Sequence, residues 1–166
     1  MKNRNLDHKD HWATPRELYD RLNDEFGFDF DPCPLHSEFD GLTIDWGERN
    51  FINPPYSRRL KEAFIAKAFS ESRLGKLCVM LLPVSTSTKV FHETIYPNAE
   101  IRFIRGRVPF EGVNTFGEKV GKGSAPMHDS MLVIFGGTLR QNPWFCLECG
   151  SEFSDCCKEA KNIEED

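Results

Sequence analysis

No apolar run in this chain approaches the roughly 20 residues that a membrane-spanning helix requires, and residues 1–11 are polar, without the apolar region of a secretory signal. A cytoplasmic protein with no membrane partner is expected. Basic excess is missing as well: 21 Lys and Arg stand against 26 Asp and Glu, a formal net charge of −5. Proteins that hold nucleic acid by bulk charge show the opposite balance, so a polyanionic partner could be met only through local clusters. Internal repeats and low-complexity segments are not evident. What is present is 166 residues at 39% hydrophobic content, enough to bury one core and too few for two ordinary domains. A monomer is favoured.

The most informative stretch is Asn53-Pro54-Pro55-Tyr56, directly after the apolar Phe51-Ile52. Each proline fixes φ at about −65°, removes an N–H and pushes the preceding residue towards extended geometry. A strand that enters this sequence must therefore stop in a rigid, extended loop. The Asn53 side-chain oxygen and the Pro54 carbonyl can both face a ligand there, with the Tyr56 ring beside them, which suits a planar group carrying an exocyclic amine. The plain alternative is a proline-stiffened turn with a half-buried tyrosine. Arg58, Arg59 and Lys61 follow at once, so one local basic cluster abuts the candidate pocket; Arg102, Arg105 and Arg107 form another, and Lys119 and Lys122 fall in a Gly-rich stretch.

In chain order, Thr14-Pro15-Arg16-Glu17 reads as a helix start, with threonine as cap, proline in the first turn and Glu17 completing a capping box. Leu18 and Leu22 mark its apolar face and Gly27 its end. Trp12, just before it, either staples the helix to the core or covers a ligand. Phe28-Asp29-Phe30-Asp31 alternates as a short strand would, both phenylalanines on one side and both carboxylates on the other, and stops at Pro32-Cys33-Pro34. Asp31 then stands at a strand's carboxyl end, where open α/β sheets bind ligands. A helix is expected from Leu60 to Ser72, a buried central strand from Lys76 to Leu82, a helix capped by the hydroxyl-rich residues 85–88 and reaching Tyr96, a strand from Glu100 to Ile104, a long loop or strained hairpin from Gly106 to Pro126, and a last strand from Ser130 to Phe135. Strands alternating with helices at this spacing predict an α/β fold with a doubly wound, mainly parallel sheet.

These pieces, taken in order, resemble the small phage-type, Dam-like DNA N6-adenine methyltransferases. The matching segments are Trp12-Ala13-Thr14-Pro15 with Leu18, Phe28 to Cys33, Asp45-Trp46, Phe51 to Ser57, Leu81-Leu82-Pro83 with Thr86 and Thr88, Gly106-Arg107 with Phe110, and Ser130 leading into Val133. The resemblance implies a Rossmann-like fold, S-adenosylmethionine (AdoMet) as methyl donor, DNA as partner, and a phage or prophage protein acting in a host cell. It implies that Asp31, Pro32 and Cys33 take the place of the first cofactor motif, that Thr14 and Pro15, with Trp12 beside them, approach the methionine end, and that Asp45 touches cofactor or adenine unless it is a plain strand-end carboxylate. One departure stands out: Pro34-Leu35-His36-Ser37 follows Asp31 where related amino-methyltransferases carry a Gly-rich loop.

On this reading Asn53, Pro54, Pro55 and Tyr56 are catalytic. Arg58, Arg59, Lys61 and Arg107 hold the DNA backbone around a flipped base, and readout of sequence falls to the loop after Gly106. The same pocket also suits cytosine N4, an RNA adenine or a glutamine side chain, and a binding module that has lost its cofactor is the alternative outside enzymes. Residues 1–140 are assigned to the methyltransferase domain and 141–166 to a Cys-rich tail. There Cys146 and Cys149 resemble half a zinc knuckle, with Cys156 and Cys157 as the remaining ligands of a structural zinc; free thiols are the alternative, disulfides being rare in the cytosol.

Overall fold

The computed structural model describes residues 12–35, 37–113, 119–120, 128–137 and 144–146. Its elements in chain order are β1 (Trp12–Ala13), α1 (Arg16–Phe26), β2 (Arg49–Ile52), α2 (Arg58–Arg73), β3 (Leu77–Pro83), a π-helical turn (Phe91–Ile95), β4 (Glu100–Arg105), β5 (Glu111–Val113), β6 (Lys119–Val120), β7 (Ser130–Phe135) and β8 (Trp144–Cys146). A five-stranded sheet has the order β2-β3-β7-β4-β8, and a small second sheet has the order β1-β5-β6. No helix among the described residues is long and apolar enough to cross a membrane.

The layers follow from a period of two in the central strands. Cys78, Met80 and Leu82 of β3, with Met131, Val133 and Phe135 of β7, pack on one side against Phe64, Ile65 and Ala68 of α2. Val79 and Leu81, with Leu132 and Ile134, face the other way onto Leu18, Leu22 and Phe26 of α1. Strands covered on both faces read as unbroken apolar runs, and each fully buried Leu, Ile or Val contributes about 1.5–3 kcal/mol. Both helices end at glycines in the left-handed region, Gly27 at φ 62° and Gly75 at φ 93°, and the Gly27 N–H closes onto the Asn23 carbonyl at 2.7 Å.

The expectation of a mainly parallel sheet needs correction. The fold is α/β with helices on both faces, but the sheet is mixed: β2 pairs parallel with β3 and β4 with β8, while the longest ladders, β3 with β7 and β4 with β7, are antiparallel. The cause lies in the connection from β4 to β7. A parallel neighbour needs a crossover, usually helical. Here the described part of the connection is the β5–β6 hairpin, and β5 pairs with β1 beside the end of β2. The chain thus re-enters from the edge where β4 left and runs back as β7.

Two local expectations also change. Residues 28–31 form no full strand, only a parallel bridge from Phe30 to Asn50. The N–H groups of Asp29 and Phe30 both donate to the Arg49 carbonyl, at 2.9 and 3.3 Å, so the alternation slips by one as at a bulge. Phe28 consequently joins the α1 side of the core and Phe30 the α2 side. The segment reaching Tyr96 is π-helical between Phe91 and Ile95 rather than regular α-helix.

Candidate active site

β2, β3 and β4 share one direction, so Asn53, Val84 and Gly106 all leave the sheet at its carboxyl edge. Asn53 is held there by its own amide. Nδ2 donates to the Trp12 carbonyl at 2.7 Å and to Thr14 Oγ1 at 3.1 Å, and because a carbonyl can only accept, the orientation of the amide is fixed. Oδ1 is buried and has no partner among the described residues. The threonine read as a helix cap is therefore used differently: the residue before α1 is Pro15, no side chain caps the helix, and the Thr14 hydroxyl positions Asn53.

Asp31 and Cys33 lie against the same residue. The Cys33 N–H donates to Asp31 Oδ1 at 2.9 Å. Burial pushes the Asp31 carboxyl up to about 6, against its ordinary 3.8, with bonds from the Cys33 backbone and thiol pulling the other way. The Cys33 thiol is driven well up, first by burial and then by the charge of Asp31, with the Asn53 backbone N–H opposing. Cys33 is thus a thiol at neutral pH, and Asp31, Cys33 and Asn53 form one bonded group. Tyr19, on the inner face of α1, is also raised, by burial and then by Asp31.

A cavity of about 180 Å³ runs between Thr14, Tyr19, Asp31 and Asn53. It shares Trp12, Cys33, Leu35 and Asn53 with a larger cleft of about 500 Å³ that Phe39, Asp40 and Pro55 also line, so the two adjoin at Asn53. Leu35 and Phe39 are 47% and 39% exposed at its rim. The glycine absent after Asp31 has a counterpart further on: a Cβ on Gly41 would lie 1.8 Å from the Pro32 carbonyl oxygen. Only glycine lets that backbone close over the loop. Tyr56 sits at the other side of the double proline, its ring edge-on to Phe110 at 6.0 Å. Its hydroxyl is buried without a partner among the described residues, and burial raises its pKa.

The structure brings together Trp12, Thr14, Asp31, Pro32, Cys33, Asn53 and Pro55, with Pro15 and Tyr56 adjoining. Asp45 is not brought there. It is exposed and acts on Lys76, and it precedes β2 as Lys76 precedes β3, which puts both at the opposite edge of the sheet. Arg58, Arg59 and Lys61 fall in the first turn of α2, with Arg58 paired to Glu62 at 3.0 Å. Arg107 is exposed beyond the end of β4. Leu35, Phe39 and Asp40 line the site and Phe110 packs on Tyr56, roles the sequence did not assign; for Leu35 and Phe39 the available signal was apolar side chains in a segment without periodicity.

Of the proposed zinc ligands, Cys149, Cys156 and Cys157 lie outside the described residues, and Cys146 is placed only as the last residue of β8. No group of three or more His, Cys, Asp or Glu among the described residues could hold a metal. Comparison with curated proteins and with solved structures returns no match. A family model described as DNA N-6-adenine-methyltransferase (Dam) matches residues 2–146. With that match covering most of its length, this chain, whose Asn-Pro-Pro-Tyr loop lies at the carboxyl edge of its sheet, belongs to the Dam family of DNA N-6-adenine-methyltransferases.

Proposed function

We propose that the protein transfers a methyl group from AdoMet to N6 of an adenine flipped out of DNA, on a Rossmann-like variant of the α/β fold. The observation that carries this reading is the state of Asn53: both Nδ2 hydrogens are used by the protein, while Oδ1 is a buried acceptor without a partner among the described residues. Leaving a buried acceptor unpaired costs about 1–3 kcal/mol, so a ligand that donates a hydrogen bond there recovers that cost.

The residues present suit the donor. The space around Asn53 is of ordinary ligand-site size, about 500 Å³ in its larger part, and Asp31 offers a half-buried carboxylate beside Asn53 and Thr14 to a cationic ligand. When bound, AdoMet supplies an electrophilic methyl group on a sulfonium. Pro32, Leu35 and Phe39 line the cleft, the last two exposed at its rim, and offer apolar surface for the bound donor to cover. Asn53 Oδ1 and the Pro54 carbonyl accept the two N6 hydrogens and favour the pyramidal amine, whose lone pair is released from the ring. As N6 gains positive charge in attack, the same oxygens stabilise it, an oxyanion hole with its sign reversed. Tyr56 stacks on the flipped base. No strong general base is needed, because the product ammonium is acidic enough to lose its proton to water.

Transfer of tritium from labelled AdoMet to unmethylated DNA, RNA and protein tests the reading. Label recovered as N6-methyladenine in DNA is expected, and Asn53→Ala should lower its rate about 100-fold or more with the fold retained by circular dichroism. Label on cytosine N4, on RNA alone or on protein, or full activity in the variant, refutes it.

A further inference from the structure

A third cleft, of about 450 Å³, opens on the α1 side of the sheet, between Pro15, Arg21, Arg105, Arg107 and Pro109. We propose that this cleft, centred on Arg105 and Arg107, is a second backbone site for substrate DNA, which takes a phosphate on the side of the target base opposite the start of α2. The inference rests on the methyltransferase reading and adds where the strand runs.

Three observations carry it. First, three arginines close in sequence are used in two ways. Arg102 is buried and spent on Glu100 and Glu25, at 2.6 and 2.8 Å. Arg105 and Arg107 are exposed and make no ion pair among the described residues. In a chain of net charge −5, two such guanidiniums at one cleft form a local anion site, and the planar fork of arginine matches phosphate. Glu17 also lines this cleft, which favours a ligand held by several contacts over a free anion.

Second, β4 ends at the same sheet edge as β2, three strands along, so Arg105 leaves the sheet on the edge that carries the catalytic loop. α1 and α2 cover opposite faces; the cleft lies by α1, while Arg58 and Arg59 open α2. Asn53 to Tyr56 therefore lie between two basic sites. A strand crossing the edge meets one site on each side of the extruded nucleotide. Third, the segment with these arginines turns Val108 and Phe110 inward: both are buried in the α1 side of the core, against which Tyr56 packs, and Phe110 meets the Tyr56 ring. Occupying the cleft thus braces the ring assigned to base stacking.

The test measures binding of an unmethylated duplex by fluorescence anisotropy over a series of salt concentrations, for wild type, Arg105→Ala/Arg107→Ala and Arg73→Ala. Arg73 removes a similar exposed charge at the far end of α2. Each lost phosphate contact lowers the slope of log K against log salt by about 0.9. The double variant should lose nearly two in slope and roughly thirty-fold in affinity at physiological salt, equally for unrelated sequences, with AdoMet affinity unchanged; Arg73→Ala should match wild type. A wild-type slope in the double variant, or an equal loss in Arg73→Ala, overturns the site while leaving the methyltransferase reading standing. A wild type that neither binds nor methylates DNA overturns both.

Discussion

Tyr56 illustrates how a single residue can be set for a ligand at some cost to the fold. Its hydroxyl is buried without a partner among the described residues, while its ring is fixed edge-on against Phe110. An orphaned hydroxyl costs about 1–3 kcal/mol, whereas stacking on a base is worth about 1–3 kcal/mol and needs only the ring. Tyr56→Phe should therefore melt at or above the wild-type temperature and keep turnover within a few-fold. Tyr56→Ala should lose most turnover while AdoMet still binds. A phenylalanine variant as inactive as the alanine variant would move the role from the ring to the hydroxyl.

Among the elements, the segment from Asp31 to Gly47 lines the proposed cofactor side of the site, and its described residues form no helix or strand. The Trp46 indole N–H donates to the Gly41 carbonyl at 2.7 Å, and the Gly41 backbone lies on Pro32 with no room for a side chain. Neither neighbour can yield cheaply, since the conflict is with backbone. Gly41→Ala should cost about 1–3 kcal/mol, read as a fall of about 2–4 °C in Tm per kcal/mol in a chain of this size, and AdoMet affinity should drop with it. Unchanged Tm would mean that the loop relaxes freely and does not shape the cleft.

For the whole molecule, stability and function are set against each other through Asp31. Its carboxyl titrates at about 6 in the fold against an ordinary 3.8. The folded state thus holds a proton that the unfolded chain gives up between those values, so the stabilising contribution is complete below about pH 4 and is lost as pH rises through 6. Asp31→Asn keeps an oxygen for the Cys33 N–H and removes the charge. It should be more stable than wild type at pH 7.5, by on the order of 1–3 kcal/mol, with the difference vanishing near pH 4 in thermal melts. If the carboxylate holds the cofactor as proposed, AdoMet affinity should fall in wild type as pH drops below 6 and be weak and flat in the variant. A wild-type affinity independent of pH would remove Asp31 from the cofactor site.

The sequence by itself determined the features that depend on near neighbours. Leu18, Leu22 and Phe26 at helical spacing with Gly27 behind them could form little but α1, the apolar run ending at Pro83 could only be a covered strand, and two consecutive prolines had to end β2 in a rigid loop. Tertiary structure decided whatever depends on which distant groups compete for one partner. The direction of β7 follows from a hairpin that stays at one edge, and the two phenylalanines at 28 and 30 divide between core faces because one carbonyl takes two N–H groups. The Thr14 hydroxyl goes to Asn53 rather than to its own helix. Arg102 is drawn inward by Glu25 and Glu100 while Arg105 and Arg107 stay out. Local sterics act over a few residues and are written in order along the chain; burial and hydrogen-bond competition act through space, and only the packed molecule settles them.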